Sequence, residues 1–398
     1  MKQCLVGPET RRVLLQGHPW VIADRYTRQW PKIAPGELIA LVDEQRRFLA
    51  TALADPGSRV VARVLAPTPL TGITPAWLAD RLHSAAALRE HALLGETDSY
   101  RLVNAEGDGL PGMTVDRYGD YLMLQFYTDA WEAHRDLLTA ALQRVFAPRG
   151  IYLKFRPQQT RRLEAQNKGN PTNPLLCGEA APLPLKVKEN GLIYQVNLRS
   201  GLHTGLFPDQ RRNRREIMQR CQGRTVLNLF AFTGAFSVAA AAAGADRVTS
   251  IDVSEKYLKI ARENFVGNGI DPHAHEFLVA DVFAELARLQ AEGRQFDCIL
   301  FDPPSFSTTK KSRFATQGGT AQLVSATLPL LRPGGLLCSS TNHQKVILED
   351  YLKELRRGAL QAEATLKTLL IHGQPEDFPC DVGFPEGRYL KFVISVKP

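Results

Sequence analysis

Val226-Leu227-Asn228-Leu229-Phe230-Ala231-Phe232-Thr233-Gly234-Ala235-Phe236, Val248-Thr249-Ser250-Ile251-Asp252 and Ile299-Leu300-Phe301-Asp302-Pro303-Pro304-Ser305-Phe306 are three short apolar runs, each stopping at a polar or acidic residue. Such runs read as buried parallel strands, and open α/β sheets hold their ligands just beyond the carboxyl ends of those strands. Helical patterns fill the gaps at 235–243, 255–268, 282–292 and 323–330, and further strands fall at 276–279 and 335–340. This alternation predicts an α/β domain, a Rossmann-like, doubly wound, mostly parallel sheet over 181–398. Lys188-Glu189-Asn190-Gly191-Leu192 at its start reads as a hairpin, because Asn and Gly both tolerate positive φ.

The N-terminal part has another rhythm. Gly17-His18-Pro19-Trp20-Val21, 36–42, 48–52 and 60–65 are short β-rich runs set off by Gly and Pro, which predicts a small β-barrel over residues 1–70. Breakers at Pro67, Pro69, Gly72 and Pro75 then give way to a helical period through Trp77, Leu78, Leu82, Ala86, Leu88 and Leu93. Two strands around Gly119-Asp120, a helix over 131–145 and a strand over 151–155 complete a central α+β domain, 71–180. The polar stretch Asn167–Pro174 reads as a linker.

A chain of 398 residues exceeds one typical core, and its 44% hydrophobic content is that of a globular protein. The net charge of +8 favours a polyanionic partner. Six scattered cysteines without a C-x-x-C pair signal neither a zinc site nor a disulfide framework, so no metal is expected and a reducing cytoplasm fits. The N-terminus lacks the apolar core of a signal peptide, and no apolar run approaches spanning length, so no membrane is expected. Monomer and homodimer both remain open.

Asn228 to Gly234 occupy the first strand-to-helix turn, where Gly lets backbone approach a ligand and the helix start offers free N–H groups. Only one Gly is present and the G-x-G-x-x-G fingerprint is missing, which argues against a pyrophosphate and so against an NAD-dependent oxidoreductase. Asp252, 18 positions after Gly234, can accept ribose hydroxyls; the alternative, an ordinary helix-capping Asp, is a role that Ser254 could fill equally well. Asp281 follows the third strand and precedes a helix; it reads either as the cap of that helix or, third in register after Asn228 and Asp252, as a contact for a ligand's base. In Asp302-Pro303-Pro304-Ser305-Phe306 the prolines stiffen the chain and remove two N–H donors. Asp302 can then hydrogen-bond a base edge and Phe306 can stack on the ring of an extruded base. Arg211, Arg212, Arg214 and Arg215 on one side, and Lys310, Lys311 and Arg313 on the other, suit phosphate contacts, the second group more than the first. Lys154, Arg156, Arg161 and Arg162, interleaved with Tyr152 and Phe155, could face RNA or solvent. His18, His203 and the acidic group Glu106, Asp108 and Asp116 are read as structural.

At these residues the chain resembles the bacterial 23S rRNA methyltransferases that carry an N-terminal PUA domain. The match includes Gly17-His18-Pro19-Trp20-Val21, Ser99–Gly112 with Val115-Asp116-Arg117-Tyr118, His203-Thr204-Gly205-Leu206-Phe207-Pro208-Asp209-Gln210-Arg211 and Phe384-Pro385-Glu386-Gly387-Arg388-Tyr389-Leu390-Lys391. The resemblance implies a class I methyltransferase fold and S-adenosylmethionine as cofactor, with ribosomal RNA as partner. It implies a cofactor site of Phe207, Asp209, Gln210, Arg211, Asn228, Phe230, Thr233 and Gly234, then Asp252 with Val253 and Ser254, Asp281 with Val282, and Asp302. Catalysis would rest on Asp302, Pro303, Pro304, Phe306 and Asn342.

One departure bears on mechanism. Relatives that methylate cytosine at C5 carry a nucleophilic Cys after the fifth strand, because C6 must be attacked covalently first. Here that position is Asn342, and Cys338 sits four places earlier inside an apolar run. The Asp-Pro-Pro-Ser-Phe-Ser and Ser-Thr-Asn-His pair also resembles a group that methylates guanine N7. Direct transfer to an atom with its own lone pair is therefore expected, with Asn342 holding the base. The alternatives are C5 methylation with a displaced nucleophile and an inactive RNA-binding assembly protein.

Overall fold

The computed structural model describes residues 1–92, 96–154, 172–304, 306–308 and 313–398. Leu93, Phe155, Arg156, Arg161, Arg162, Ser305, Lys310 and Lys311, together with most of the Asn167–Pro174 stretch, lie outside the described residues. By contact the chain forms two compact units. The first gathers Met1–Leu185, Asn197–Thr204 and Glu376–Gly387, and the second gathers Lys186–Val196, Gly205–Pro375 and Arg388–Pro398.

The first unit holds two five-stranded sheets. Strands β1 (Lys2–Leu5), β2 (Trp20–Ile22), β3 (Leu38–Val42), β4 (Phe48–Ala54) and β5 (Val60–Ala66) pair in the order β1-β3-β4-β5-β2. Their inward residues Val21, Ile39, Leu41, Ala52 and Ala62 make one core. Strands β6 (Ser99–Asn104), β7 (Met113–Tyr118), β8 (Tyr121–Phe126), β9 (Gly150–Lys154) and β10 (Leu175–Gly178) pair in the order β10-β9-β8-β7-β6. The β7–β8 hairpin turns at Gly119, whose φ of 58° suits a residue without Cβ. Helices Pro75–Ala92 and Arg135–Phe146 lay Leu78, Leu82, Leu138 and Leu142 against Val103, Val115, Leu122, Leu124 and Ile151.

Glu106, Asp108 and Asp116, an acidic group of this unit, are each tied up. Asp108 takes the Arg89 guanidinium in a buried bidentate pair at 2.6 and 2.7 Å, and Arg89 also donates to the Asp377 carbonyl at 2.9 Å. Asp116 accepts from Arg101 Nε at 2.5 Å, and Glu106 accepts from Trp20 Nε1 at 2.7 Å. Each carboxylate has its own cationic or N–H partner, the arrangement of a structural group.

The second unit is built on a seven-stranded sheet ordered β15-β14-β13-β16-β19-β21-β20. Its strands are β13 (Thr225–Leu229), β14 (Arg247–Asp252), β15 (Glu276–Val279), β16 (Phe296–Phe301), β19 (Leu331–Thr341), β20 (Lys367–His372) and β21 (Lys391–Val396). The first five run parallel; β21 is antiparallel to both β19 and β20. The order reverses between β13 and β16, which opens a crevice beyond their carboxyl ends. Alternation along β13 puts Leu227 and Leu229 into one apolar layer with Ile299, Phe301 and Leu337, and Val226 into the other with Phe236, Ala240 and Cys338.

The hairpin β11 (Leu185–Glu189) and β12 (Leu192–Val196) turns at Asn190 and Gly191, with φ of 52° and 80°. Glu189 and Arg214, on the helix Arg211–Met218, form a fully buried pair at 2.5 and 2.6 Å, and Arg214 adds a bond to the Phe207 carbonyl at 2.8 Å. The expectation that Arg211 and Arg214 are free for phosphate therefore fails: both are buried, and only Arg212 and Arg215 of that cluster reach the surface. Removing one partner of a buried pair leaves an uncompensated charge, so Glu189→Ala is expected to destabilise by about 3–5 kcal/mol. Glu189→Leu with Arg214→Met should lose far less. The shift of the urea midpoint in circular dichroism distinguishes the two.

Candidate functional site

In-register pairing brings the strand tips to one level. Leu229 faces Ile251 on one side and Phe301 on the other, Asp252 faces Val279, and Phe301 faces Ser339. Phe230, Asp252, Asp302 and Ser340 therefore share one edge of the sheet.

The loop after β13 is unusually constrained. Phe230 and Phe232 hold φ of 56° and 51°, and Gly234 holds 75°. A Cβ on Gly234 would lie 2.7 Å from Ala261 Cβ, so only glycine fits there. Thr233 Oγ1 donates to the Gly205 carbonyl at 2.6 Å, and Asn264 Nδ2 donates to the Thr233 carbonyl at 2.9 Å. The backbone N–H of Phe232 turns toward β14 and donates to Asp252 Oδ2 at 2.9 Å, while the Ser254 N–H donates to Oδ1 at 2.9 Å. Burial pushes the Asp252 carboxyl up, and these backbone bonds pull against it. Each oxygen retains acceptor capacity. Ser254 caps the helix Glu255–Gly267 by accepting from the Tyr257 N–H, so the separate capping role belongs to Ser254 and not to Asp252.

Apolar side chains stand open beside this carboxylate. Val253 and Val279, at the tips of β14 and β15, are 55% and 51% exposed, and Phe207, just before the turn Pro208–Gln210, is 38% exposed. Phe232 packs between Phe207 and Tyr257, with ring centres 5.4 and 4.4 Å apart.

Asn228 is placed differently from expectation, and Asp281 serves one of its two expected roles. Asn228 points into the helix layer, 2% exposed, where Nδ2 donates to Ser237 Oγ at 2.8 Å; it braces β13 and is not open at the tip. Asp281 accepts from the N–H groups of Phe283 and Ala284 at 3.1 and 3.2 Å as the cap of the helix Val282–Ala291, and Val282 is a buried core residue. The capping reading of Asp281 thus has direct geometric support, with its side chain still half exposed.

Asp302, directly after β16, is half-buried, Pro303 is buried and Pro304 is exposed. Gln210 Nε2 donates to Asp302 Oδ2 at 2.9 Å and to Ser340 Oγ at 2.8 Å. Asp209 accepts from Tyr389 Oη at 2.7 Å. Burial, reinforced by the Asp209 charge, pushes the Asp302 carboxyl up to about 6 against the pull of Ser340, Gln210 and Arg214. Asn342 is exposed beyond β19. Cys338 is fully buried, its Sγ 3.8 Å from that of Cys298. Phe306 and Arg313 are placed by backbone alone in the short paired strands β17 (Phe306–Thr308) and β18 (Arg313–Ala315). Ser340, Asn213, Val279 and Tyr389 join these residues only through the fold. Tyr389 sits in a quoted motif and Asn213 lies three residues after Gln210, which is a helical spacing.

Among the described residues no group of three or more His, Cys, Asp and Glu could hold a metal ion, and no helix is long and apolar enough to cross a membrane. Residues 112–384 match the profile of the S-adenosylmethionine-dependent methyltransferase family, and residues 6–67 match that of the PUA-like domain. The chain is 35% identical over 379 residues to ribosomal RNA large subunit methyltransferase I of Erwinia tasmaniensis, and 34% identical over 380 residues to that of Yersinia pseudotuberculosis, covering 95% of each partner. Among solved structures it is similar to a methyltransferase complexed with SAH, at a TM-score of 0.90 and 28% identity over all of both chains. A SAM-dependent methyltransferase from Streptococcus mutans follows at a TM-score of 0.86, again 28% identical over the full length of both. Sheet order, open strand tips and these likenesses agree: the chain belongs to the S-adenosylmethionine-dependent methyltransferase family and carries a PUA-like domain ahead of its methyltransferase domain.

Proposed function

We propose that this enzyme transfers the methyl group of S-adenosylmethionine to a base of large-subunit ribosomal RNA, directly and without a covalent enzyme–base adduct. The carrying observation is the juxtaposition at one sheet edge of two carboxylates: Asp252, half-buried, beside exposed Val253 and Val279 and held by the N–H of Phe232, whose ring packs on exposed Phe207, and Asp302, stiffened by the prolines that follow it. The names of the two curated relatives support ribosomal RNA as the acceptor.

The residues fit the cofactor. Asp252, oriented by two backbone N–H donors, has lone pairs left for ribose hydroxyls, and the exposed apolar side chains suit an adenine ring. The Phe230–Gly234 loop and Phe207 would border the same nucleoside, with Asp281 and Asp209 at its margins. When bound, the cofactor supplies a methyl group on a sulfonium, which makes carbon electrophilic. The chain's part is then positioning and exclusion of water. Asp302, ionised above about pH 6, accepts a base N–H at the oxygen that Gln210 leaves open. It takes up the proton that an exocyclic nitrogen sheds on methylation. Pro303 and Pro304 hold the slot rigid, Phe306 provides a stacking face and Asn342 a polar contact from beyond β19. Lys310, Lys311 and Arg313 would hold phosphates. Residues 1–70 would serve as the RNA-binding module, 71–180 as the connecting domain and 181–398 as the transferring domain. On this reading the protein works in the cytoplasm.

Asp252→Ala should weaken S-adenosylmethionine binding at least about tenfold, since it removes a charged acceptor, with the fold intact by circular dichroism; calorimetry reads the affinity. For the non-covalent route, RNA containing 5-fluorocytosine should give no denaturant-stable protein adduct. An adduct that disappears in Cys338→Ala would sink it.

The Asp302 carboxyl titrates near 6 in the folded chain, against 3.8 for an ordinary Asp. Between those values the folded chain binds more protons than the unfolded one, so this group's contribution to stability falls as pH rises from about 4 to 6 and stays unfavourable above. Asp302→Asn is therefore expected to stabilise the protein at pH 8 by up to about 3 kcal/mol, to lose that gain near pH 4, and to lower methyl transfer about 100-fold or more. Melting temperatures across pH, alongside transfer of labelled methyl to rRNA, provide the check.

A further inference from the structure

Gln210 ends the short turn Pro208–Gln210 and leads into the helix Arg211–Met218, with its side chain buried. The donations to Asp302 Oδ2 and Ser340 Oγ use both N–H groups of its amide. Its carbonyl oxygen accepts from Asn213 Nδ2 at 2.6 Å. Asn213 is fully buried, and its own Oδ1 has no hydrogen-bond partner. A buried carbonyl left unpaired costs about 1–3 kcal/mol, so the orientation of Asn213 serves Gln210 at its own expense. Turned the other way, the Gln210 amide would set an oxygen against the Asp302 carboxylate, acceptor facing acceptor.

We propose that Asn213, Gln210 and Ser340 form a buried relay that fixes Oδ2 of Asp302 and so presents its other oxygen to the acceptor base in one orientation, with Asn213 as a positioning residue at the far end. This rests on the reading of Asp302 as the group that holds the base. Gln210 is accordingly a residue of the transfer step, and its amide has no N–H left for the cofactor.

The groups around Asp302 explain why such a relay is needed. Asp209 pushes the carboxyl up and Arg214 pulls it down. Arg214 is itself neutralised by Glu189, and Asp209 carries the Tyr389 hydroxyl. The Tyr351 phenol, from the helix Leu348–Gln361, is driven up by burial and by the Asp302 charge. Lys391 Nζ is committed to the carbonyls of His343 and Tyr389. The donors of Gln210 and Ser340 are thus the direct hydrogen-bonding support for the ionised form.

The test uses the full chain with 13C-labelled aspartate carboxyls, the Asp302 resonance being identified by its loss in Asp302→Asn. Asn213→Ala should raise the Asp302 midpoint from near 6 by about one pH unit. The acidic limb of the pH–kcat profile should move equally, with the cofactor Kd changed less than about twofold. Gln210→Met, which removes both donors while keeping the side chain's length, should move it further. A side chain that only fills space would lower the melting temperature and leave the midpoint in place. An unmoved midpoint in both variants, or a tenfold weaker cofactor Kd in Asn213→Ala, overturns the relay. A midpoint that moves in a protein that methylates no rRNA keeps the relay and removes the proposed function instead.

Discussion

Parallel pairing of β13 with β14 on one side and β16 on the other is the constraint on which the site depends. Because Leu229 is level with both Ile251 and Phe301, the residues that follow each strand emerge at the same height. A slip of one residue in either pairing would turn Asp252 or Asp302 to the opposite face of the sheet. Both apolar layers resist such a slip, since Leu227 and Leu229 belong to one core and Val226 to the other.

The molecule treats its buried charges in two ways. Glu189 with Arg214, and Asp108 with Arg89, are closed pairs in which two hydrogen bonds answer the desolvation of both ions. Asp302 is different, because neutral donors from Gln210 and Ser340 are what hold it directly and a second carboxylate, Asp209, stands nearby. A carboxyl kept this uncomfortable is a liability for stability and an asset for a group that must accept and release a proton close to neutrality. Asp252 occupies the middle ground, buried enough to be pushed up but anchored by two backbone N–H groups.

Much of this was legible in the residue order. Short apolar runs ending at Asp252 and Asp302, and the single glycine at Gly234, located the sheet, the carboxyl ends of its strands and the tight turn. Other residues are placed by what they pack against or cap. Asn228 reads as a tip residue by position, yet strand alternation turns it under the helix layer to Ser237. Arg211 and Arg214 read as a basic surface, yet the hairpin strand β11 lays Glu189 across the helix and buries them. Asp281 has both a helix to cap and a strand tip to occupy, and the cap is what its oxygen serves. For Asn228 and the two arginines local pattern gave the position and packing against another element gave the partner, whereas Asp281 finds its partners in the first turn of its own helix.

The sequence by itself determined the class of the fold, the order of its strands and helices, and which carboxylates end up at the carboxyl ends of the central strands, because hydrophobic periodicity and Gly and Pro placement are local properties of the backbone. Only the tertiary structure decided what those groups experience. The poise of Asp302 arises from Asp209, Gln210 and Arg214, some ninety positions away, and from Ser340 on a neighbouring strand. Desolvation and hydrogen bonding depend on distances through space, which no spacing along the chain encodes.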